Sequence, residues 1–126
     1  DPRSARRLVG SLADPALQAT ALEALRRLGP AALTEMERAY SSWTSEPELR
    51  RLLVDLAGRF EDDATRRLLL SALTDPAPGV RVEAAHALGE GSFREALRPL
   101  LDLKSTDPAS EVRQAAAGAL RKLQPR

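Results

Sequence analysis

The stretch that most constrains this chain is residues 75–88, DPAPGVRVEAAHAL, because it returns at residues 107–120 as DPASEVRQAAAGAL, with nine of the fourteen positions identical. A short amphipathic helix repeated in this way can bury its apolar side only against neighbours like itself. The simplest fold is therefore a stack of similar units rather than one central core wrapped by dissimilar elements. The spacing extends the repeat over the whole chain. The first apolar residues of every second predicted helix are Leu17, Leu49, Val80 and Val112, separated by 32, 31 and 32 residues. That describes four helical hairpins of one length, with repeats at about 1–29, 30–60, 61–91 and 92–126.

Local propensity agrees. Ala, Leu, Arg and Glu dominate and aromatic residues are only 3% of the chain, so helix is favoured nearly everywhere and proline and glycine mark the breaks. The pattern predicts helices near residues 3–12, 15–28, 31–43, 47–60, 61–73, 80–89, 93–103 and 110–123. Asp14-Pro15, Asp75-Pro76 and Asp107-Pro108 read as helix starts, the Asp capping open amides and the Pro fitting the first turn. Ser45-Glu46-Pro47 stands in the corresponding place of the second hairpin. Leu17, Leu22 and Leu25 form one inward face, Leu97, Leu100, Leu101 and Leu103 another, and Leu33, Met36, Tyr40 and Trp43 a stripe that fills a seam between hairpins. Ser92 is expected to cap the seventh helix, and Pro99 to kink it or break it early. Glu61-Asp62-Asp63 reads as an acidic helix start that complements the helix dipole.

Charge excludes some function classes. The 126 residues carry 19 bases and 18 acids, so no overall field draws nucleic acid or an anionic membrane. Of the bases 17 are Arg and two, Lys104 and Lys122, are Lys. With so much Ala, Leu and Pro, this composition suits a GC-rich, bacterial genome and is weak evidence for phosphate binding. Cysteine is absent, which removes disulfides and thiolate chemistry and suits a reducing or an oxidising compartment; a cytoplasmic setting is the default expectation. No apolar run approaches the roughly 18 residues of a membrane span. The chain begins at Asp1 without Met, as expected of a piece of a longer protein.

The Asp-Pro, Val-Arg, Ala-Ala and Ala-Leu of residues 75–88 and 107–120 resemble HEAT-like repeats of the short variety also met in phycobilin lyase-type proteins. The resemblance implies an all-α chain, a right-handed α-solenoid of about four helical hairpins. It also implies that Ala84, Ala85 and Ala116 are small because a neighbouring helix passes close. Asp75 with Arg81, and Asp107 with Arg113, resemble the family's structural Asp–Arg pairs between adjacent repeats. Repeat one departs with Gln18 in place of Arg, and repeat two with Glu46-Pro47 for Asp-Pro and Leu53 for a small Ala.

Candidate chemistry is sparse. His86 is the only histidine. On a helical wheel from Val80 it falls with Val82, Glu83 and Glu90, away from the Ala84/Leu88 side, and should be exposed. One imidazole beside two carboxylates is a thin metal set. Deoxyhypusine hydroxylases, a HEAT-like enzyme class, carry His-Glu dipeptides that hold a di-iron centre; the matching dipeptide here is Val82-Glu83. HEAT-like alkylpurine DNA glycosylases bind DNA on a concave face that should be basic. Here the second helices present Glu23, Arg27, Arg51, Asp55, Arg59, Glu83, His86, Glu90, Gln114 and Lys122, in which the signs alternate. No nucleophile–base pair, phosphate loop, metal cluster or cofactor motif is visible.

The reading is a non-enzymatic scaffold that binds a protein partner on its concave face, with Arg27, Arg51, Asp55, Arg59, Glu83 and His86 as contact residues and no catalytic, cofactor or metal residues. The alternatives are a nucleic-acid-binding domain and a regulatory domain of a larger enzyme.

Overall fold

The computed structural model describes residues 2–42, 46–60 and 63–124. The helices are α1 (Pro2–Ser11), α2 (Gln18–Leu28), α3 (Leu33–Ser42), α4 (Pro47–Ala57), α5 (Asp63–Ala72), α6 (Pro78–Glu90), α7 (Leu97–Thr106) and α8 (Ser110–Leu123), with 3-10 turns at Gly29–Ala32 and Arg94–Ala96. They pair as α1/α2, α3/α4, α5/α6 and α7/α8, and the pairs stack. The first helices make one layer through α1–α3 and α3–α5 contacts, and the second helices another through α4–α6 and α6–α8 contacts. This is an α-solenoid. Its core runs as a strip between the layers: Val9, Leu12, Leu25, Leu33, Met36, Leu53, Leu69, Val80, Leu88, Leu100, Val112 and Leu120 are all buried.

The Asp-Pro turns work differently from the expected caps. Asp75 Oδ1 accepts the Ala77 amide at 2.8 Å and Asp107 Oδ1 the Ala109 amide at 2.9 Å, two residues on in each case. The helices then start at Pro78 and Ser110 with no side-chain cap. The turn is an Asx-turn that aims the chain into the helix. At Asp14 the same bond forms to Ala16 at 3.0 Å, but residues 12–17 stay in turns and α2 waits until Gln18. Leu17 is therefore no inward residue; it is 47% exposed.

The register of the second helices explains why. Gln18, Arg50, Arg81 and Arg113 are spaced like the first apolar residues, and six positions upstream stand Leu12, Thr44, Asp75 and Asp107. Arg81 Nη1 donates to the Asp75 carbonyl at 2.8 Å, Arg113 Nη1 to that of Asp107 at 2.7 Å, and Gln18 Nε2 to that of Leu12 at 2.8 Å. The aspartate position of repeat one is thus the buried Leu12, and Asp14 lies two residues beyond it. Pro47 falls in register with Pro78 inside the helix start, not with Pro76, so Glu46-Pro47 is not an Asp-Pro turn. The corresponding residue, Thr44, lies outside the described residues.

The Asp–Arg pairs are shifted by one repeat from those expected. The Asp75 carboxylate does not clasp Arg81 and that of Asp107 does not clasp Arg113; towards its own turn each of those arginines donates to main-chain carbonyls alone, Arg113 to that of Asp107 and Arg81 to those of Asp75 and Pro76. Instead Arg50 reaches forward to Asp75 (Nε–Oδ2 2.8 Å, Nη2–Oδ1 3.0 Å) and Arg81 reaches forward to Asp107 with the same two distances. Each fork ties the second helix of one hairpin to the turn of the next. Tyr40 completes the first rung, its hydroxyl donating to Asp75 Oδ2 at 2.6 Å. Burial and that carboxylate together push the Tyr40 phenol well above its ordinary range. Tyr40 thus fills the inter-hairpin seam as its stripe predicts; Trp43 and Glu61-Asp62 lie outside the described residues.

Three details of the seventh helix differ from expectation. Ser92 adopts a left-handed conformation (φ 57°), which puts it in a turn rather than at a cap, and α7 begins only at Leu97. Pro99 then falls in the first turn, where its missing amide breaks no helical bond, so α7 is not broken there. Leu101 faces out, 47% exposed. On α5, Thr65 is fully buried and its hydroxyl has no hydrogen-bond partner among the described residues. A lone buried hydroxyl costs about 1–3 kcal/mol. Thr65→Val, which keeps the shape and removes the hydroxyl, is expected to raise stability by about 1 kcal/mol, read as a higher urea midpoint at unchanged slope.

Candidate functional site

The charged groups proposed for partner contact gather mainly on the layer of second helices. Glu48, Arg51 and Asp55 recur every three or four residues along α4, with Arg59 one turn beyond, so they share one face. Glu83 joins from α6. Arg51 Nη1 lies 3.5 Å from Glu48 Oε2 and its Nε 3.6 Å from Glu83 Oε2; Arg59 Nη2 lies 3.5 Å from Asp55 Oδ2. These pairs are long and open to water, unlike the short buried forks of Arg50 and Arg81. Burial holds the Glu83 carboxyl above its ordinary range, and the charge and hydrogen bond of Asp55 push the same way, against Arg51 and His86. Two carboxylates facing each other in this way leave the spot short of positive charge.

Two open clefts follow the seam between α2 and α4. One, of about 310 Å³, is lined by Gln18, Glu48, Arg51, Leu52, Asp55 and Glu83. The other, of about 410 Å³, is lined by Glu23, Arg26, Arg27, Gly29, Arg59 and Phe60. Gly29 ends α2 in the left-handed region (φ 67°), its amide donating back to Arg26 and Leu25 carbonyls, a conformation that glycine adopts without strain. Five of the six expected contact residues therefore line this one seam. His86 does not join them: it is exposed, as its place on the wheel predicts, and borders a third cleft of about 420 Å³ between α6 and α8 with Val82, Gln114 and Lys122.

Sequence reasoning passed over Gln18 and Glu48 as site residues. Gln18 stood out only as a departure from Arg, yet that departure is what leaves the head of α2 facing the cleft without a guanidinium. Among the described residues no three His, Cys, Asp or Glu side chains gather as a metal ion would require, and no helix is long and apolar enough to cross a membrane.

The sequence pattern of HEAT repeats matches residues 39–121, well over half of the chain. The chain belongs to the HEAT-repeat family. Among solved structures, human deoxyhypusine hydroxylase in complex with glycerol is similar to this HEAT-repeat chain over 97% of its residues, with a TM-score of 0.78 and 29% sequence identity. The chain spans 44% of that enzyme's length. A comparison with curated proteins found no match. The HEAT pattern begins within α3, leaving out the hairpin α1/α2 in which Leu12 and Gln18 replace the Asp and Arg of the repeat.

Proposed function

We propose that this HEAT-repeat chain is a non-enzymatic scaffold that binds a protein partner on the concave face carried by its second helices, through Arg27, Arg51, Asp55, Arg59 and Glu83, with His86 as a more distant contact. The observation that carries this is the contrast between two kinds of charge. The buried forks are committed to stacking, whereas the cleft-lining charges pair in the open, Arg51 and Arg59 at 3.5 Å or more and Arg26 with Glu23 at 3.1 Å, and can exchange partners at little cost, since exposed pairs contribute roughly 0–1 kcal/mol. Glu83 in particular sits against a like charge, which serves binding better than folding. Glu83→Gln is expected to leave stability at pH 7 unchanged or slightly raised, measured by urea unfolding; a clear loss would make Glu83 a structural residue.

The direct test is photocrosslinking from Arg51 and Arg59 in the source cell, with Arg7 and Thr34, on the first helices, as controls. A protein adduct specific to the first two positions is expected. Recovery of nucleic acid instead, with binding that falls steeply as salt rises, would favour the nucleic-acid alternative and overturn the scaffold. The reading as a regulatory unit of a larger enzyme draws on the similar enzyme structure being more than twice as long. Joined to such an enzyme, the chain would change its turnover without supplying reacting groups.

A further inference from the structure

The second helices approach one another closely through a repeated pair of small residues. A Cβ placed on Gly58 would lie 2.8 Å from Ala87 Cβ, and one on Gly89 would lie 2.8 Å from Ala119 Cα. Gly58 and Gly89 hold the same register, as do Ala87 and Ala119, so α4–α6 and α6–α8 use one close contact. At the first seam that register holds Arg26 and Leu56 instead. A guanidinium stem and a leucine cannot meet where glycine and alanine do, and α2 packs on α1 and the turn at 29–32 rather than on α4. The two clefts described above occupy the space this leaves.

The charges along this seam are sorted. The cleft at the start of α2 and α4 carries Glu48, Asp55 and Glu83 against Arg51, a net charge of −2. The cleft at their ends carries Arg26, Arg27 and Arg59 against Glu23, a net charge of +2. Arg26, Arg27 and Glu48 also complement the dipoles of their helices, but that role asks for charge near an end on any side, and here the charges converge on one seam. Leu52 and Phe60, both half-buried, add an apolar patch to each cleft. We propose that the α2/α4 seam is a docking groove for an extended peptide segment of a partner, with basic side chains at one end, apolar ones in the middle and acidic ones at the other. This rests on the concave-face reading and narrows it to one seam and one partner chemistry. From Gln18 to Arg27 α2 rises about 13 Å, which an extended chain covers in about four residues. The basic and acidic ends of the segment should be that far apart.

The test is an amide-resonance titration of the 15N-labelled chain with the capped peptide KKLSLEE, and with KKLSLKK and EELSLEE as controls. The expected result is shifts at Gln18, Leu52, Arg59 and Phe60, with KKLSLEE bound about fivefold more tightly than either control, the gain of two exposed ion pairs. The double variant Arg26→Glu/Arg27→Glu, both positions being exposed, should erase the advantage over KKLSLKK while keeping the helical circular dichroism. Equal binding of the three peptides, or no shift with KKLSLEE at millimolar concentration, overturns the groove. Shifts confined to His86, Gln114 and Lys122 also overturn the groove while supporting concave-face binding, and the crosslinking experiment tests that broader reading by itself.

Discussion

Asp75→Ala is expected to lower the stability of the chain by about 3–5 kcal/mol, the cost of breaking a buried ion pair by removing its carboxylate. Arg50 is only 6% exposed at its side chain and Asp75 only 2%, so water cannot replace the lost carboxylate. The Tyr40 hydroxyl and the Ala77 amide lose an acceptor in the same step. The rung also joins two hairpins, so its loss should loosen α3/α4 from α5/α6 as well as lower the urea midpoint. Arg50→Met/Asp75→Leu, which removes both charges, should recover much of the deficit, because replacing a buried pair with apolar groups is often neutral. Arg113→Ala should cost about 1 kcal/mol or less, since among the described residues that arginine makes a single hydrogen bond, to a carbonyl. Equal losses in Asp75→Ala and Arg113→Ala would sink the inter-repeat rung.

The same rungs set the acid limit. Burial works to raise the Asp75 carboxyl, but hydrogen bonds from Arg50, Tyr40 and the Ala77 amide outweigh it. At Asp107 burial is likewise outweighed by Arg81 and the Ala109 amide, and both carboxyls end below their ordinary value. A carboxyl lowered on folding contributes stability that is complete above its unfolded value, about 3.9. That contribution is lost as pH falls through the lower folded value. Stability should therefore hold from neutral pH to about pH 5 and fall below about pH 4. The fall should be shallower in Arg50→Met/Asp75→Leu, measured by urea unfolding at each pH.

How much of this was legible in the sequence follows from where the repeat is written in side chains. Residues 75–88 and 107–120 spell out the stack, and the burial of Val80, Ala84, Leu88, Val112 and Leu120 follows from their spacing alone. The partner of each aspartate was not legible. A guanidinium six residues downstream looks like the natural mate of Asp75, yet the helix that follows carries Arg81 forward, and only its Nη1 turns back to the carbonyl. Repeat one misled for a related reason. Asp14-Pro15 has the motif's composition two positions out of register; the offset shows only when the repeat is counted from Gln18, whose hydrogen bond to the Leu12 carbonyl bears it out. As for the site, the alternation of charge along the second helices was visible. Its sorting into an acidic and a basic cleft depends on how far α2 stands from α4, which no single helix encodes.

Gly89→Ala and Gly118→Ala, the same substitution in adjacent packed helices, are expected to act in opposite directions. In an ordinary helix interior Ala is favoured over Gly by about 1 kcal/mol. At Gly118 that preference should prevail, because the nearest atom to a new Cβ is Arg121 Nη2 at 3.6 Å, the far end of a side chain that can move. Gly118→Ala should therefore stabilise by up to about 1 kcal/mol. At Gly89 the new Cβ would sit 2.8 Å from Ala119 Cα and 2.9 Å from Ala119 Cβ, atoms that no rotamer change can withdraw, so α8 would have to move away from α6. Overpacking of this kind costs about 1–3 kcal/mol, and Gly89→Ala should lower the urea midpoint despite its better helix propensity. Gly58→Ala, facing Ala87 Cβ at 2.8 Å, should follow Gly89→Ala in sign. A stabilising Gly89→Ala would mean that the second helices tolerate a wider spacing, and the account of why α2 stands off from α4 would fall with it. The opposed signs separate close approach from helix propensity, because propensity by itself predicts a gain at both Gly89 and Gly118.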